Sequence, residues 1–278
     1  MVKQSLDFDG LGNKHKALEQ ISAGQRLIPH VPVIARLDGR AFHTLLRHAD
    51  KPFDEDVVEA MQTTAKTLLD HFGASIAYTQ SDEITLVWDP LEMFDGKIQK
   101  IVSTSASMAG VVFYKKMKEV MFSESGANFD GGAIPAFDCR VWQVPDLETA
   151  AENILWREMD ATKNSISMLA SAHFHHNKLI GISTKERLVM LEAKGIIWGE
   201  LPSHLKRGSY FRKVKRSKLL SEEELSKIPE QYRPIDAIQR SIIEMQEYPP
   251  ATTISNFADV LFRGHEVILY GENNESNT

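Results

Sequence analysis

The segment Ala74–Trp88, ASIAYTQSDEITLVW, sets two runs of β-forming residues around the adjacent acids Asp82 and Glu83. Isoleucine, tyrosine, threonine, valine and tryptophan on either side of a short polar break predict two strands joined by a tight turn. The acid pair then sits at a hairpin tip. A solvated turn is one reading of acids in that place; a metal site is the other.

The flanking chain builds the rest of a sheet. VPVIARLD, Val31 to Asp38, predicts a buried strand that ends at Gly39. Asp54 is placed to cap a helix, and Glu55 and Asp56 suit the positive end of its dipole. Val57, Met61, Ala65, Leu68 and Phe72 form one stripe at helical spacing, and Gly73 supplies the stop. A second long helix, from about Gly96 to Val120, buries Ile98, Ile101, Val102, Ser105, Met108, Ala109 and Val112. A glycine-rich loop follows over residues 121–133, too irregular for a P-loop. Phe137 to Val144 reads as a strand ended by Pro145, and a third long helix runs from Asp146 to about His173. The order strand, helix, hairpin, helix, strand, helix predicts an α+β fold, with a mostly antiparallel sheet and helices packed on one face. Trp142 and Trp156 are expected in the core. His173, His175 and His176 are read as a helix end and loop, not as metal ligands. Residues 217–278 are expected to form a C-terminal helical extension with a disordered tail.

Composition narrows the class. With 278 residues, 42% of them hydrophobic, the chain can bury a real core. No apolar run is long enough for a bilayer, and MVKQSLDFDG lacks the apolar stretch of a signal peptide. The lone Cys139 excludes an internal disulfide and zinc sites built on paired cysteines. These features predict a soluble protein of a reducing compartment, the cytoplasm. The net charge of −6 gives no global basic field, yet seven of the thirteen residues from Lys206 to Lys218 are lysine or arginine. Such a run is either a solvated strand or a phosphate-binding surface.

The candidate chemistry starts from Asp38, where the first strand ends, and Asp82 at the hairpin tip. If the hairpin pairs beside that strand, the two carboxylates converge beside the Gly39 carbonyl, a hard-oxygen set suited to magnesium. Glu83 points to the other side of its strand from Asp82 and takes a neighbouring role. Lys97 and Lys100 share a helix face and are candidates for phosphate binding. Arg36 lies on the same side of its strand as Asp38, either to bind phosphate or to pair with that acid. Arg157, Asp160 and Asn164 form a polar helix stripe that either lines the site or faces solvent.

The ordered blocks RLDGRAFH (Arg36 to His43), KPFD (Lys51 to Asp54), QSDEITLVW (Gln80 to Trp88), FDCRVWQVP (Phe137 to Pro145), WREMDATKNS (Trp156 to Ser165) and LPSHLKRG (Leu201 to Gly208) resemble the tRNA-histidine guanylyltransferase family. The likeness is strongest to its bacterial-type branch of Thg-like reverse polymerases, and it covers roughly residues 10 to 215. The resemblance implies a polymerase- and cyclase-like palm over residues 1–216, and two magnesium ions held by Asp38, the Gly39 carbonyl and Asp82. Asp38, Asp82 and Glu83 are then the catalytic acids. Nucleotide binding falls to Arg36, Arg40, Ala41, Phe42, His43, Lys51, Ser81, Lys97 and Lys100. RNA or phosphate contacts fall to Asp160, Asn164, Lys206, Arg207 and Arg212.

The implied partners are tRNA, ATP and GTP or other nucleoside triphosphates, in a homotetramer. The implied reaction adenylylates a tRNA 5′-monophosphate and then joins it to the 3′-hydroxyl of a nucleoside triphosphate. Guanylyltransferases proper carry a His-Ile-Asn-Asn run where this chain has Thr162, Lys163, Asn164 and Ser165. That departure favours template-dependent repair of tRNA 5′ ends over strict addition of guanine to tRNA-histidine. A nucleotide cyclase on the same palm and a non-catalytic RNA-binding palm are the other readings.

Overall fold

The computed structural model describes residues 8–121, 134–234 and 237–271. The elements follow in the order α1 (Phe8–Ala23), β1 (Val33–Gly39), α2 (Phe42–Leu45), α3 (Glu55–Phe72), β2 (Ile76–Gln80), β3 (Glu83–Trp88) and α4 (Ile98–Met121). Then come β4 (Phe137–Gln143), α5 (Leu147–His173), α6 (Thr184–Glu192), α7 (Ser203–Arg207), β5 (Ser209–Lys218), α8 (Glu222–Ser226) and β6 (Ile238–Gln246). The strands form one antiparallel sheet in the order β4-β1-β3-β2-β5-β6. Its first four strands have the split βαββαβ arrangement of a ferredoxin-like unit, the α+β palm architecture expected.

Local chemistry explains the helix ends. Asp54 accepts hydrogen bonds from the backbone N–H of Asp56 and Val57, and α3 stops where Gly73 turns left-handed at φ 64°. Asp146 caps α5 through the Thr149 N–H. The predicted glycine-rich loop and disordered tail fall on residues 122–133 and 272–278, outside the described residues.

Both faces of the sheet are covered, and this corrects the expectation of helices on one face. Val33, Ala35 and Leu37 of β1 pack with α3 and α4 around Met61, Leu68, Phe113 and Met117. Ile34 of β1, with Ile76, Tyr78, Val87 and Tyr210, packs against Ala150, Ala151 and Ile154 of α5. The cause is legible in VPVIARLD: an unbroken apolar run, unlike an alternating one, requires partners on both sides. Only from Arg36 onward does the α5-side face of β1 turn polar, and the candidate residues Arg36 and Asp38 lie there.

The expected boundary at residues 216 and 217 falls inside β5. The chain beyond it adds β6 to the sheet along the length of β5 and sends Ala251, Ile254, Phe257, Val260 and Leu261 into the core under α5. A buried carboxylate ties this return to the palm. Glu158 of α5 accepts from the Tyr210 hydroxyl at 2.5 Å and from the Ala251 N–H at 2.7 Å.

Glu158→Ala leaves both donors buried without an acceptor and should lower the unfolding free energy by about 2–4 kcal/mol, read from urea denaturation. Burial raises the Glu158 pKa above its ordinary 4.5, against the opposing hydrogen bonds from Tyr210 and Ala251. A raised folded pKa contributes stability that is complete below the unfolded value and lost as pH rises through the folded value. The stability of wild type relative to Glu158→Gln should therefore fall as pH is raised from below about 4.5; a flat difference would contradict this.

Candidate active site

The site is built on the β1–β3 pair. Asp38 stands opposite Glu83 in register, and the Gly39 N–H donates to the Asp82 carbonyl at 3.0 Å. Ser81 and Asp82 form a two-residue turn with Ser81 at φ 50°, the left-handed backbone that tight hairpins require. Ala41, just past β1, is also left-handed at φ 55°. Two non-glycine residues in a costly conformation therefore flank the acids, a pattern found at functional sites. Gly39 has no room for a side chain, since a Cβ would lie 2.5 Å from the Phe42 ring. That ring is held by Phe113 and Phe137 at centroid distances of 5.1 and 5.0 Å.

The two aspartates are left open. Neither has an ion-pair partner among the described residues. The Ser81 hydroxyl donates to Asp82 Oδ1 at 3.1 Å. Burial pushes the Asp82 carboxyl above the usual range, its own backbone N–H and Ser81 oppose the rise, and the charge of Asp38 adds to it. Two mutually repelling carboxylates beside a peptide carbonyl are a donor set that fits a hard divalent cation. No third histidine, cysteine or acid joins them in a metal-binding group among the described residues.

Glu83 is different in kind. Its side chain is 9% exposed, and Arg157 Nε donates to Oε1 at 2.6 Å while Arg36 Nε stands 3.8 Å from Oε2. Arg36 thus pairs with Glu83 and not with Asp38. Arg157 also donates from Nη2 to Asp160 at 3.0 Å, and Asn164 donates to the same Asp160 oxygen at 3.2 Å. The polar stripe of α5 is therefore partly buried in a charge network beside the acids.

A cavity of ≈ 380 Å³ opens beside the aspartates, within the size range of small-ligand sites. Gly39, Ala41, Phe42, His43 and Lys51 line one side, and Ser81, Asp82 and Asn164 line another. Leu46, Val57 and Met168 supply apolar wall. Sequence reasoning missed His204, Leu205 and Gly208, which close the cavity from α7 and the turn after it. The LPSHLKRG block holds these residues beside Lys206 and Arg207, which do not line the cavity. Lys206 donates to the Gly199 carbonyl and lies over Trp198, and Arg207 donates to Ser203 Oγ at 3.1 Å. Gly208, at φ 81°, lets this turn approach β2, where a Cβ would meet the Thr79 carbonyl oxygen at 2.6 Å.

Four other expected residues lie elsewhere. Lys97 and Lys100 are not brought to the acids. Asp82 precedes β3, whereas the start of α4 follows its far end, where Gly96 accepts from the Leu27 N–H and Lys97 bridges Arg26. The length of β3 alone separates these ends by about 17 Å. Lys100 lies over the Phe94 ring at 4.8 Å. Arg212 donates to the Val260 carbonyl at 3.1 Å and anchors the C-terminal return. Arg40 is exposed and outside the cavity lining. Trp142 packs against the second core, but Trp156 is 52% exposed, which corrects its assignment to the core. His173 ends α5 and His175 caps the short turn after it, as expected for a helix end.

Residues 13–145 match the family model described as tRNAHis guanylyltransferase. A curated tRNA(His) guanylyltransferase from Candida glabrata is 24% identical over 214 residues, 71% of this chain and 89% of that protein. The solved structure of a bacterial tRNA(His) guanylyltransferase (Thg1)-like protein in complex with ATP is 35% identical, covers 73% of this chain and 87% of its own, and superposes with a TM-score of 0.66. A second, in complex with GTP, is 30% identical over 88% of this chain and 94% of its own, with a TM-score of 0.68. This chain belongs to the tRNA-histidine guanylyltransferase family of nucleotidyltransferases.

Proposed function

We propose that this protein adds nucleotides to the 5′ end of tRNA in the 3′–5′ direction, rebuilding truncated ends against a template base. The observation that carries the reading is the pair of open carboxylates, Asp38 and Asp82, of which Asp82 lines a cavity of ≈ 380 Å³ together with Gly39, the neighbour of Asp38. Support comes from the relatives solved with ATP and with GTP. The absence of the His-Ile-Asn-Asn run at Thr162 to Ser165 favours repair over strict guanine addition.

In this reading an oxygen of the tRNA 5′-phosphate attacks the α-phosphorus of ATP and pyrophosphate leaves. The 3′-hydroxyl of a second nucleoside triphosphate then attacks the activated 5′-phosphate, and AMP leaves. Asp38, Asp82 and the Gly39 carbonyl would hold magnesium, which when bound would acidify the attacking hydroxyl and neutralise charge on the phosphate oxygens. The cavity between His43, Asn164 and His204 takes the activating nucleotide, with Phe42, Leu46 and Met168 keeping water from its base. Ser81 orients Asp82. Glu83 holds Arg36 and Arg157 in place, so its contribution is to position cations and not to open a ligand site. Reactions of this type depend on positioning and charge neutralisation, and no side-chain nucleophile is needed.

Three measurements test this. Incubation with magnesium, ATP and all four nucleoside triphosphates on a tRNA lacking its first nucleotide should give addition that follows the opposing base; guanine added whatever the template would return the protein to strict guanylyltransferase activity. Asp38→Ala, or chelation by EDTA, should abolish addition while tRNA affinity stays within about two-fold, and retained addition would remove the metal assignment. Glu83→Ala should instead cost about 3–5 kcal/mol of stability, because it strands a buried guanidinium. An equally small stability change in both variants would contradict the different roles given to the two acids.

A further inference from the structure

Trp156 has no role in the reading above, and its setting is unusual. It lies on α5 between the buried stripe and solvent and is 52% exposed, where a large aromatic ring gains little from staying. The guanidinium of Arg157 lies over its ring at 4.5 Å from the centroid, and that of Arg36 at 5.9 Å. Neither arginine is free to wander. Arg157 is bonded to Glu83 and Asp160, and Arg36 faces Glu83 from β1. The indole is therefore braced by two fixed cations while half of its surface remains in water. Met159, one turn further along the helix and 44% exposed, extends the apolar surface.

Position gives this platform a meaning. Arg36 precedes Asp38 by two residues on the same face of β1, so the platform adjoins the open carboxylates. The cavity lies the other way, beyond Asp82 and Asn164. Along α5, Trp156 and Asn164 are eight residues apart, or about 12 Å. The acids are thus bracketed by a partly open cavity at one end and an exposed aromatic ring with guanidinium groups at the other. A reaction between two nucleotides needs two base sites flanking the reacting phosphates, and the cavity supplies only one.

We infer that Trp156 is a stacking platform for a second nucleobase, that of the incoming nucleoside triphosphate or of the tRNA 5′ end, with Arg36 beside it for the attached phosphates. This rests on the proposed reaction, with ATP in the cavity. A nucleobase stacks on an exposed indole whatever its identity, so the platform holds the base in place and leaves its pairing edge free for the template. Selection by template pairing, without a side chain that reads the base, requires that kind of contact.

The test compares wild type, Trp156→Ala and Trp156→Phe in equilibrium binding of ATP, of GTP and of a tRNA carrying a 5′-monophosphate. Melting and sedimentation are run on the same samples. Alanine should weaken GTP or tRNA binding roughly ten-fold, within the range that loss of base–aromatic stacking produces. Phenylalanine should restore affinity to within about three-fold, and the tighter of two ATP-binding events, that in the cavity, should not change, while a weaker ATP event at the platform should weaken with GTP. Loss confined to GTP assigns the platform to the incoming nucleotide; loss confined to tRNA assigns it to the RNA end. Unchanged affinities for GTP and tRNA overturn the inference, with or without dissociation of an oligomer, as does an equal loss that includes the tighter ATP-binding event or a loss confined to that event. Because binding is read without turnover, a protein that shows the Trp156 pattern but adds no nucleotide would keep the platform and lose the proposed reaction.

Discussion

The antiparallel pairing of β1 with β3 is the constraint on which the site depends. Sheet register allows no intermediate positions: a slip of one residue would turn Asp38 to the opposite face and bury it among the phenylalanines under α3 and α4. Apolar residues on both faces of β1 and β3 prevent that slip, because Val33, Ala35 and Leu37 serve one core and Ile34 serves the other. The Gly39 N–H to Asp82 carbonyl bond then closes the end of the pair. Convergence of the two aspartates is thus enforced by hydrophobic packing remote from them.

That packing holds charges together that would otherwise separate. Asp38 and Asp82 repel each other and have no ion pair among the described residues, with the charge of His43 partly offsetting the repulsion at Asp82, while Glu83, one residue on, is enclosed by two arginines. Three neighbouring acids therefore divide into an open pair suited to a hard cation and a closed one that orders the surrounding guanidinium groups. The left-handed backbone at Ser81 and Ala41 gives the open pair its direction. Its conformational cost is offset by the sheet on one side and the Phe42 cluster on the other.

Much of this was legible in the sequence because it is local. The Asp54 cap, the Gly73 stop, the hairpin around Ser81 and Asp82, and the strand ending at Gly39 follow from patterns within a few residues. Ordered motif blocks carried the family. What failed was long-range placement. Lys97 and Lys100 had the right chemistry and a shared helix face, but the chain reaches them only after traversing β3 away from the acids. In the LPSHLKRG block, local sequence does not show that Lys206 and Arg207 bond within and beside α7 while His204 lines the cavity. Trp156 was assigned to the core by residue type, since periodicity does not reveal which flank of a helix stays open.

By itself, then, the sequence determined the elements from β1 to α5, the antiparallel α+β class and the family, and it singled out Asp38 and Asp82, because helix periodicity, turn chemistry and motif order are properties of short stretches of chain. It did not foresee that the segment expected to be helical after residue 217 carries β6. Only the tertiary structure decided that helices cover both faces of the sheet, that Glu83 is closed by Arg36 and Arg157, that the C-terminal segment returns to the palm core, and that Trp156 stands exposed beside the acids. Each of these depends on residues far apart in the chain meeting across a sheet, and the physical reason they escaped is that burial and partnership belong to the packed pair and not to either residue alone.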